Sequence, residues 1–149
     1  MNSLQERIRD AMKAAMKGGD KKRLAVIRLI MAAVKQREVD ERIVLDEQQM
    51  IEVLDRMLKQ RRESIRQYRD AGREDLAEIE EAEILVIQEF LPQPLRDDEI
   101  AGMIREAIDQ TGAASVRDMG KVMGLLKPKM EGRVDMSVVS GMIKKILAG

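Results

Sequence analysis

The chain has 149 residues, no net charge and neither cysteine nor histidine, so its composition excludes thiol and imidazole chemistry, disulfides and the commonest zinc ligands. Aliphatic residues and twelve methionines supply the 44% hydrophobic fraction, and the aromatic residues are Tyr68 and Phe90. Strands favour aromatic and β-branched residues, whereas helices favour Ala, Leu, Met, Glu, Lys and Arg. The composition therefore predicts an all-α fold.

The first two predicted helices are separated by a glycine pair. An apolar face with helical spacing begins at Leu4 and ends at Gly18–Gly19, where a helix C-terminus is expected. Asp20 is placed to cap the second helix, whose apolar positions continue to Val34. We predict a charged connector over residues 38–46 after it.

The third predicted helix carries the longest apolar periodicity of the chain. Asp46 and Gln49 have the spacing of a capping box, and the periodic run ends near Ala71. A fourth helix follows, acidic on its outer face and apolar within, and reaches Leu91. These patterns predict an N-terminal domain over residues 1–91, built as a bundle of four helices that contains one long helix pair.

Two prolines mark a boundary between the halves of the chain. Pro92 and Pro94 cannot continue a helix, so we predict a linker over residues 92–95. Three shorter amphipathic patterns follow, and they predict a small three-helix domain over residues 96–149. Within it, Ser115 with Asp118 predicts a capping box, and Thr111–Gly112 predicts the end of the preceding helix.

Charge is segregated along the chain although the total is zero. The successive blocks contain these numbers of basic and acidic residues: ten and three over 1–37, one and seven over 38–55, seven and two over 56–73, none and seven over 74–91, two and five over 92–113, and seven and three over 114–149. Two interpretations stay open, namely pairing between oppositely charged neighbours within the bundle and a basic face that remains for a polyanion.

Two glycines interrupt the sixth predicted helix. Gly120 and Gly124 are four residues apart and lie on one helical face, although each glycine costs about 1 kcal/mol there relative to alanine. They allow close approach either of a neighbouring helix or of a ligand. The segment is not a phosphate-binding loop, because the GxxxxGK[ST] spacing is absent.

Two basic clusters are candidate contacts for nucleic acid. The first surrounds the end of the sixth helix and its turn, with Gly132 as a third close-approach glycine, and contains Lys121, Lys127, Lys129 and Arg133. The second forms one ridge on the long third helix and contains Arg62, Arg66, Arg69 and Arg73. Cations at a helix C-terminus are also favoured by the helix dipole, and the arginine ridge can pair with the acidic fourth helix. With so few rings, any contact with RNA is expected to use the phosphate backbone.

Catalysis by this chain alone is not indicated. None of its serines has a Ser-x-x-Lys partner or lies in a GxSxG elbow. We therefore expect no catalytic residue, no cofactor and no metal. The N-terminus lacks the apolar core of a signal peptide, and no segment has the roughly 18 apolar residues of a membrane span. On these grounds we expect a soluble cytoplasmic protein without a membrane partner.

Three long segments resemble the YqeY-like family: MNSLQERIRDAMKAAMKGGDKKRLAVIRLIMAAVKQREVDER, QRRESIRQYRDAGREDLAEIEEAEILVIQEFLPQPL and TGAASVRDMGKVMGLLKPKMEGRVDMSVVSGMIKKIL. That family is similar to the helical and tail regions of the B subunit of the glutamine-dependent aminoacyl-tRNA amidotransferase, whose tail is associated with tRNA. Arg96 departs from the family pattern, which has a capping serine there, so the fifth helix is expected to depend on Asp97. The residues that match the tail motif are Gly120, Lys121, Val122, Met123, Gly124, Leu126, Pro128, Gly132 and Arg133.

The resemblance implies a helical N-terminal region, a small tail domain and a link to carbon–nitrogen ligase activity with glutamine as amido donor. It leads us to expect a non-catalytic accessory protein that binds tRNA or another structured RNA. The alternative is a protein that acts through contacts with amidotransferase or synthetase subunits. A third class, an independent enzyme, predicts glutamine-dependent amidation by the isolated chain.

Overall fold

In the computed structural model, which describes residues 2–149, every regular element is a helix and the described residues contain no strand. The all-α prediction is therefore confirmed. In chain order the helices are α1 (Ser3–Gly18), α2 (Lys21–Glu41), α3 (Glu47–Asp70), α4 (Glu74–Gln88), α5 (Asp97–Thr111), a short 3₁₀ turn (Val116–Asp118), α6 (Met119–Met130) and α7 (Met136–Ala148). None of the helices in the described part of the chain is long and apolar enough to cross a membrane.

The contacts of the chain divide it into two compact units, Met1–Pro92 and Gln93–Gly149. Helices α1–α4 form the first unit, and α5–α7 with the 3₁₀ turn form the second. Each unit has a hydrophobic core of its own. The core of the first unit includes the fully buried Ile27 and Leu54, and that of the second includes Ile104 and Val122.

Local capping explains where α2 and α3 begin. The Asp20 carboxylate accepts a hydrogen bond from the Arg23 backbone N–H at 3.1 Å. Asp46 and Gln49 form the predicted capping box, in which each side chain accepts from the other's backbone N–H at 2.8 and 3.0 Å. Both caps satisfy backbone donors that a helix start otherwise leaves without a partner.

The predicted connector over residues 38–46 begins too early, because α2 continues to Glu41. Pairs of side chains four residues apart support this extra turn. Gln36 donates to Asp40 at 2.9 Å, and the Arg37 guanidinium donates to Glu41 at 2.6 Å. Such i,i+4 pairs add a few tenths of a kcal/mol each, which is enough to extend a helix through a charged segment.

A small cluster of charged groups lies where α4 packs on α3. The Arg61 side chain is 13% exposed, and its Nε donates to Glu83 at 2.9 Å while Glu80 lies 4.0 Å away. Burial and the neighbouring Glu83 charge raise the pKa of Glu80, against the smaller opposing effect of Arg61. The apolar residues of α4 are less completely buried than the sequence pattern predicts, since Ile79 is 58% exposed.

Removing the two carboxylates of this cluster is expected to have different effects. Glu83→Gln removes a charged hydrogen bond to the largely buried Arg61 guanidinium, so the free energy of unfolding at pH 7 falls by about 1–2 kcal/mol. Glu80→Gln removes a charge that burial disfavours, so stability at pH 7 is retained. Because the folded pKa of Glu80 is raised, its stabilising contribution is present below the unfolded pKa of about 4.3 and is lost as the pH rises through the folded pKa. Urea unfolding at pH 4 and pH 7 tests this, and equal losses for both variants at pH 7 would contradict it.

The second unit begins with a helix start that lacks a side-chain cap. Arg96 occupies the N-cap position, and its backbone N–H donates to the Glu99 carboxylate at 3.1 Å. Asp97 is the first residue of α5. The expectation that Asp97 would cap this helix is therefore wrong, because the carboxylate that reaches the N-cap N–H is three residues further along.

The predicted box at Ser115 and Asp118 opens a 3₁₀ turn, and the α-helical turns begin only at Met119. Asp118 accepts hydrogen bonds from the backbone N–H groups of Ala114 and Ser115 at 2.9 and 3.2 Å. These bonds stabilise the carboxylate and lower the pKa of Asp118. They fix the start of α6, the helix that carries the first candidate cluster.

Candidate nucleic-acid interface

Helix α6 has one buried face and one open face. Val122, Leu126 and Met130 lie in the core of the second unit with 1% or less of their surface exposed. At about 3.6 residues per turn, Gly120 and Gly124 fall on the opposite side of the helix, and both are exposed. The helix therefore turns a strip of small residues toward solvent.

The glycine strip does not serve packing within the second unit. A Cβ atom placed on either Gly120 or Gly124 meets nothing within 4 Å apart from immediate chain neighbours and the helix backbone. No neighbouring helix of the second unit therefore approaches these glycines closely. Pro128, four residues after Gly124, extends the strip and is also exposed. It was not among the predicted contact residues, although its four-residue spacing from Gly124 places it on the same face.

The lysines of the first cluster lie around this strip. Lys121 and Lys127 border it on either side, and Lys129 follows near the end of α6. All three are exposed, and among residues 2–149 no carboxylate oxygen lies within 4.0 Å of their amino groups. The charge of Lys121 contributes to the lowered pKa of Asp118, but it is the smallest of the contributions.

Arg133 and Gly132 stand apart from the lysines because they build a turn. Gly132 is buried and has a φ of +81°, a conformation that glycine adopts without strain. The Arg133 Nε donates to the Gln93 carbonyl at 3.0 Å, and its own carbonyl accepts from the Leu95 N–H at 2.9 Å. These bonds join the segment before α5 to the turn after α6, so both residues have a structural role.

The arginine ridge on α3 is engaged with carboxylates. Arg69 forms ion pairs with two acidic side chains of α4, and Arg73 pairs with Asp75. Arg66 pairs with Glu63 of its own helix. Arg62 also makes an interaction within the chain.

These pairs match the alternative in which the ridge binds acidic neighbours. For Arg69 and Arg73 those neighbours lie on α4, as the sequence pattern suggested, and the bonds raise the pKa of both guanidinium groups. Exposed ion pairs are individually weak, at about 0–1 kcal/mol. The ridge still presents less uncompensated charge to a polyanion than the lysines of α6.

Replacing the exposed glycines by alanine separates stability from binding. Gly120→Ala and Gly124→Ala are each expected to raise the free energy of unfolding by about 0.5–1 kcal/mol, because the new methyl group meets no neighbour. If a ligand approaches the strip, the same methyl groups weaken its binding. Gly141→Ala in α7 is the matched control, since that site is also open, and it is expected to stabilise without affecting the ligand. Chemical unfolding and RNA binding on the same samples test this; unchanged binding in all three variants would rule out close approach.

The observed features define a class of protein: two all-helical units, the second of which carries an uncompensated basic helix with an open glycine strip. The family model of Yqey-like proteins matches residues 5–147. The chain therefore belongs to the YqeY-like family.

Several fungal proteins are similar to this chain. The "Altered inheritance of mitochondria protein 41, mitochondrial" of Pyrenophora tritici-repentis is 27% identical over 98% of this chain and 82% of its own length. The protein of the same description from Meyerozyma guilliermondii is 27% identical over 81% of this chain and 56% of its own length. An uncharacterized protein of Schizosaccharomyces pombe is 30% identical over 61% of this chain and 74% of its own length.

The expectation of a cytoplasmic protein is contradicted by the relatives from Pyrenophora tritici-repentis and Meyerozyma guilliermondii, which are described as mitochondrial. That expectation depended on the lack of a signal peptide and of a membrane span. Neither feature distinguishes the cytoplasm from the interior of an organelle, because import into mitochondria uses amphipathic segments without a long apolar core.

Proposed function

We propose that this protein is a non-catalytic accessory protein that binds tRNA or another structured RNA through α6 of its second unit. The observation that carries the proposal is the exposure of Lys121, Lys127 and Lys129 without a carboxylate within 4.0 Å, beside an open glycine strip. Amino groups in this state exchange counterions for phosphates at little cost, because no ion pair within the protein has to break first.

The shape of the strip suits a sugar–phosphate backbone. Glycines at positions 120 and 124 let the backbone of the ligand approach the helix closely, while the bordering lysines reach phosphates on either side. Base stacking contributes little, since Tyr68 and Phe90, the aromatic residues of the chain, both lie in the first unit. Recognition therefore depends on RNA shape and on phosphate contacts, as is usual for double-helical RNA.

The resemblance to the tail of the amidotransferase B subunit supports tRNA as the first RNA to test. That tail is associated with tRNA, and the motif residues that match it include Gly120, Lys121 and Gly124 of α6. We infer from the resemblance the class of ligand alone, and we assign no amidation chemistry to this chain.

Fluorescence anisotropy with labelled tRNA across a salt series tests the proposal. We expect binding at low salt, with an affinity that falls linearly on a log–log scale by about 0.7–0.9 per phosphate contact. The glutamine-dependent amidation of misacylated tRNA, measured on the same preparation, is expected to be absent. No binding to tRNA at low salt would contradict the proposal.

A second candidate function, docking of a protein partner such as an amidotransferase or synthetase subunit, is favoured by a groove of about 520 Å³ between α2 and α4. Leu29 and Ile79 line it and are 47% and 58% exposed. Exposed apolar side chains that share a groove are typical of protein contacts. Sedimentation of the purified protein with amidotransferase tests this, and Ile79→Lys is expected to abolish a complex formed through the groove while sparing tRNA binding.

A further inference from the structure

The first unit also carries an uncompensated basic surface, on α1 and α2. Residues 1–37 contain ten Lys or Arg and three Asp or Glu. Arg23 and Arg37 form ion pairs, and Arg7 donates to the Glu89 carbonyl. The other seven are exposed and have no carboxylate oxygen within 4.0 Å among the described residues; they are Arg9, Lys13, Lys17, Lys21, Lys22, Arg28 and Lys35.

These cations follow the outer side of the α1–α2 hairpin. The short Gly19–Asp20 turn joins the two helices, so they are antiparallel neighbours. Arg9 of α1 and Lys35 of α2 line the same cavity, which shows that the two rows of cations come together at one end of the hairpin. Asp10 is an acidic residue on this side of α1, and it forms no ion pair with its neighbour Lys13 within the described chain.

The spacing of the cations is regular. Lys21, Arg28 and Lys35 are seven residues apart on α2, so they form one row with steps of about 10 Å. On α1, Arg9, Lys13 and Lys17 are four residues apart, in steps of about 6 Å. Neighbouring helices lie about 8–10 Å apart, so the two rows together form one broad basic surface. This set of six residues is called the hairpin surface below.

We propose that the hairpin surface binds the phosphate backbone of a double-helical stem in a structured RNA. The proposal rests on the proposed function, since it supposes that the ligand of α6 is RNA, and it adds a second contact region in the other unit. A basic surface without aromatic residues matches a ligand recognised by backbone and shape.

A lipid surface fits this region less well. Amphipathic helices bind membranes by inserting their apolar face. Here the apolar faces of both helices are buried in the core of the first unit, where they contribute Leu4, Ile8, Val26 and Ile30. On the side that faces solvent, Met16 and Leu29 are 54% and 47% exposed, but they are single side chains among charged residues and small ones such as Ala14 and Ala32.

The test compares two triple neutralisations in the full chain, with a labelled RNA stem-loop and labelled tRNA as probes. One variant changes the α2 row of the hairpin surface, Lys21, Arg28 and Lys35, to glutamine. The matched control changes three exposed cations elsewhere to glutamine, namely Arg56, Lys59 and Arg105. We expect the first variant to bind on the order of 100-fold more weakly near 0.1 M salt, and the slope of its log affinity against log salt to fall by about 3. The control is expected to stay within about twofold, because its residues lie outside both proposed contact regions. Circular dichroism checks that all variants remain folded. A double variant that keeps the charge, Lys21→Arg with Lys35→Arg, is expected to bind like the original chain.

The outcomes separate this proposal from the proposed function. If neutralising α6 weakens RNA binding and neutralising the α2 row does not, the hairpin surface is excluded while the role of α6 remains. If the α2 row alone matters, the hairpin surface stands and the role of α6 fails. Equal losses in the variant and the control would show general attraction of charge and overturn the proposal. Stronger binding to phosphatidylglycerol vesicles than to the stem-loop, lost in the same variant, would also overturn it.

Discussion

Replacing Lys121, Lys127 and Lys129 with glutamine is expected to lower the affinity for tRNA by on the order of 100-fold near 0.1 M salt. Each lysine that contacts a phosphate contributes about 1 to the slope of log affinity against log salt, so the slope should fall by about 3. The three amino groups are exposed and have no carboxylate within 4.0 Å. Their loss therefore removes contacts with the ligand without breaking an ion pair of the protein.

Two further variants show whether the loss is specific to α6. Replacing the same three residues with arginine keeps the charge, so we expect affinity within a few-fold of the original. Neutralising Arg66 and Arg73, which already pair with carboxylates, is expected to change the slope by less than 1. Anisotropy measured over one salt series compares all of them. A triple glutamine variant that binds like the original would remove α6 from the interface.

Truncating one core residue in each unit is expected to produce the largest changes in stability. Leu54 and Leu126 are 0% and 1% exposed, and each lies at the centre of its own core. Leucine-to-alanine changes at such sites cost about 2–5 kcal/mol. Because small helical units are marginally stable, Leu126→Ala is expected to unfold the second unit in a large fraction of molecules and to weaken RNA binding at α6.

Amide hydrogen exchange locates the effect of each truncation along the chain. Leu126→Ala is expected to speed exchange in α5–α7 and to leave α1–α4 protected, whereas Leu54→Ala does the reverse. Leu125→Ala is a suitable control, since Leu125 is next to Leu126 and only partly buried. If either core truncation speeds exchange equally in both units, the two cores do not unfold separately.

Features set by neighbouring residues could be predicted from the sequence. Asp20, and Asp46 with Gln49, cap helices as predicted, because these motifs act within one turn. The end of α2 could not be predicted, because pairs such as Arg37 with Glu41 extend the helix beyond its apolar pattern.

Features set by tertiary contacts were only partly predictable. Periodicity placed Gly120 and Gly124 on one face, but it could not show that nothing covers that face. It also could not show that Arg61, a residue outside the predicted ridge, makes the more buried contacts with α4. Burial and partners depend on how helices meet, and a single sequence carries little information on that.

The most direct measurement of the central claim is the reactivity of lysine amino groups toward an acetylating reagent, read by mass spectrometry with and without saturating tRNA. Bound phosphates shield an amino group from the reagent. We expect tRNA to protect Lys121, Lys127 and Lys129, while Lys59, an exposed lysine outside both proposed contact regions, reacts as before. Equal reactivity of the three α6 lysines in the presence and absence of bound tRNA would contradict it.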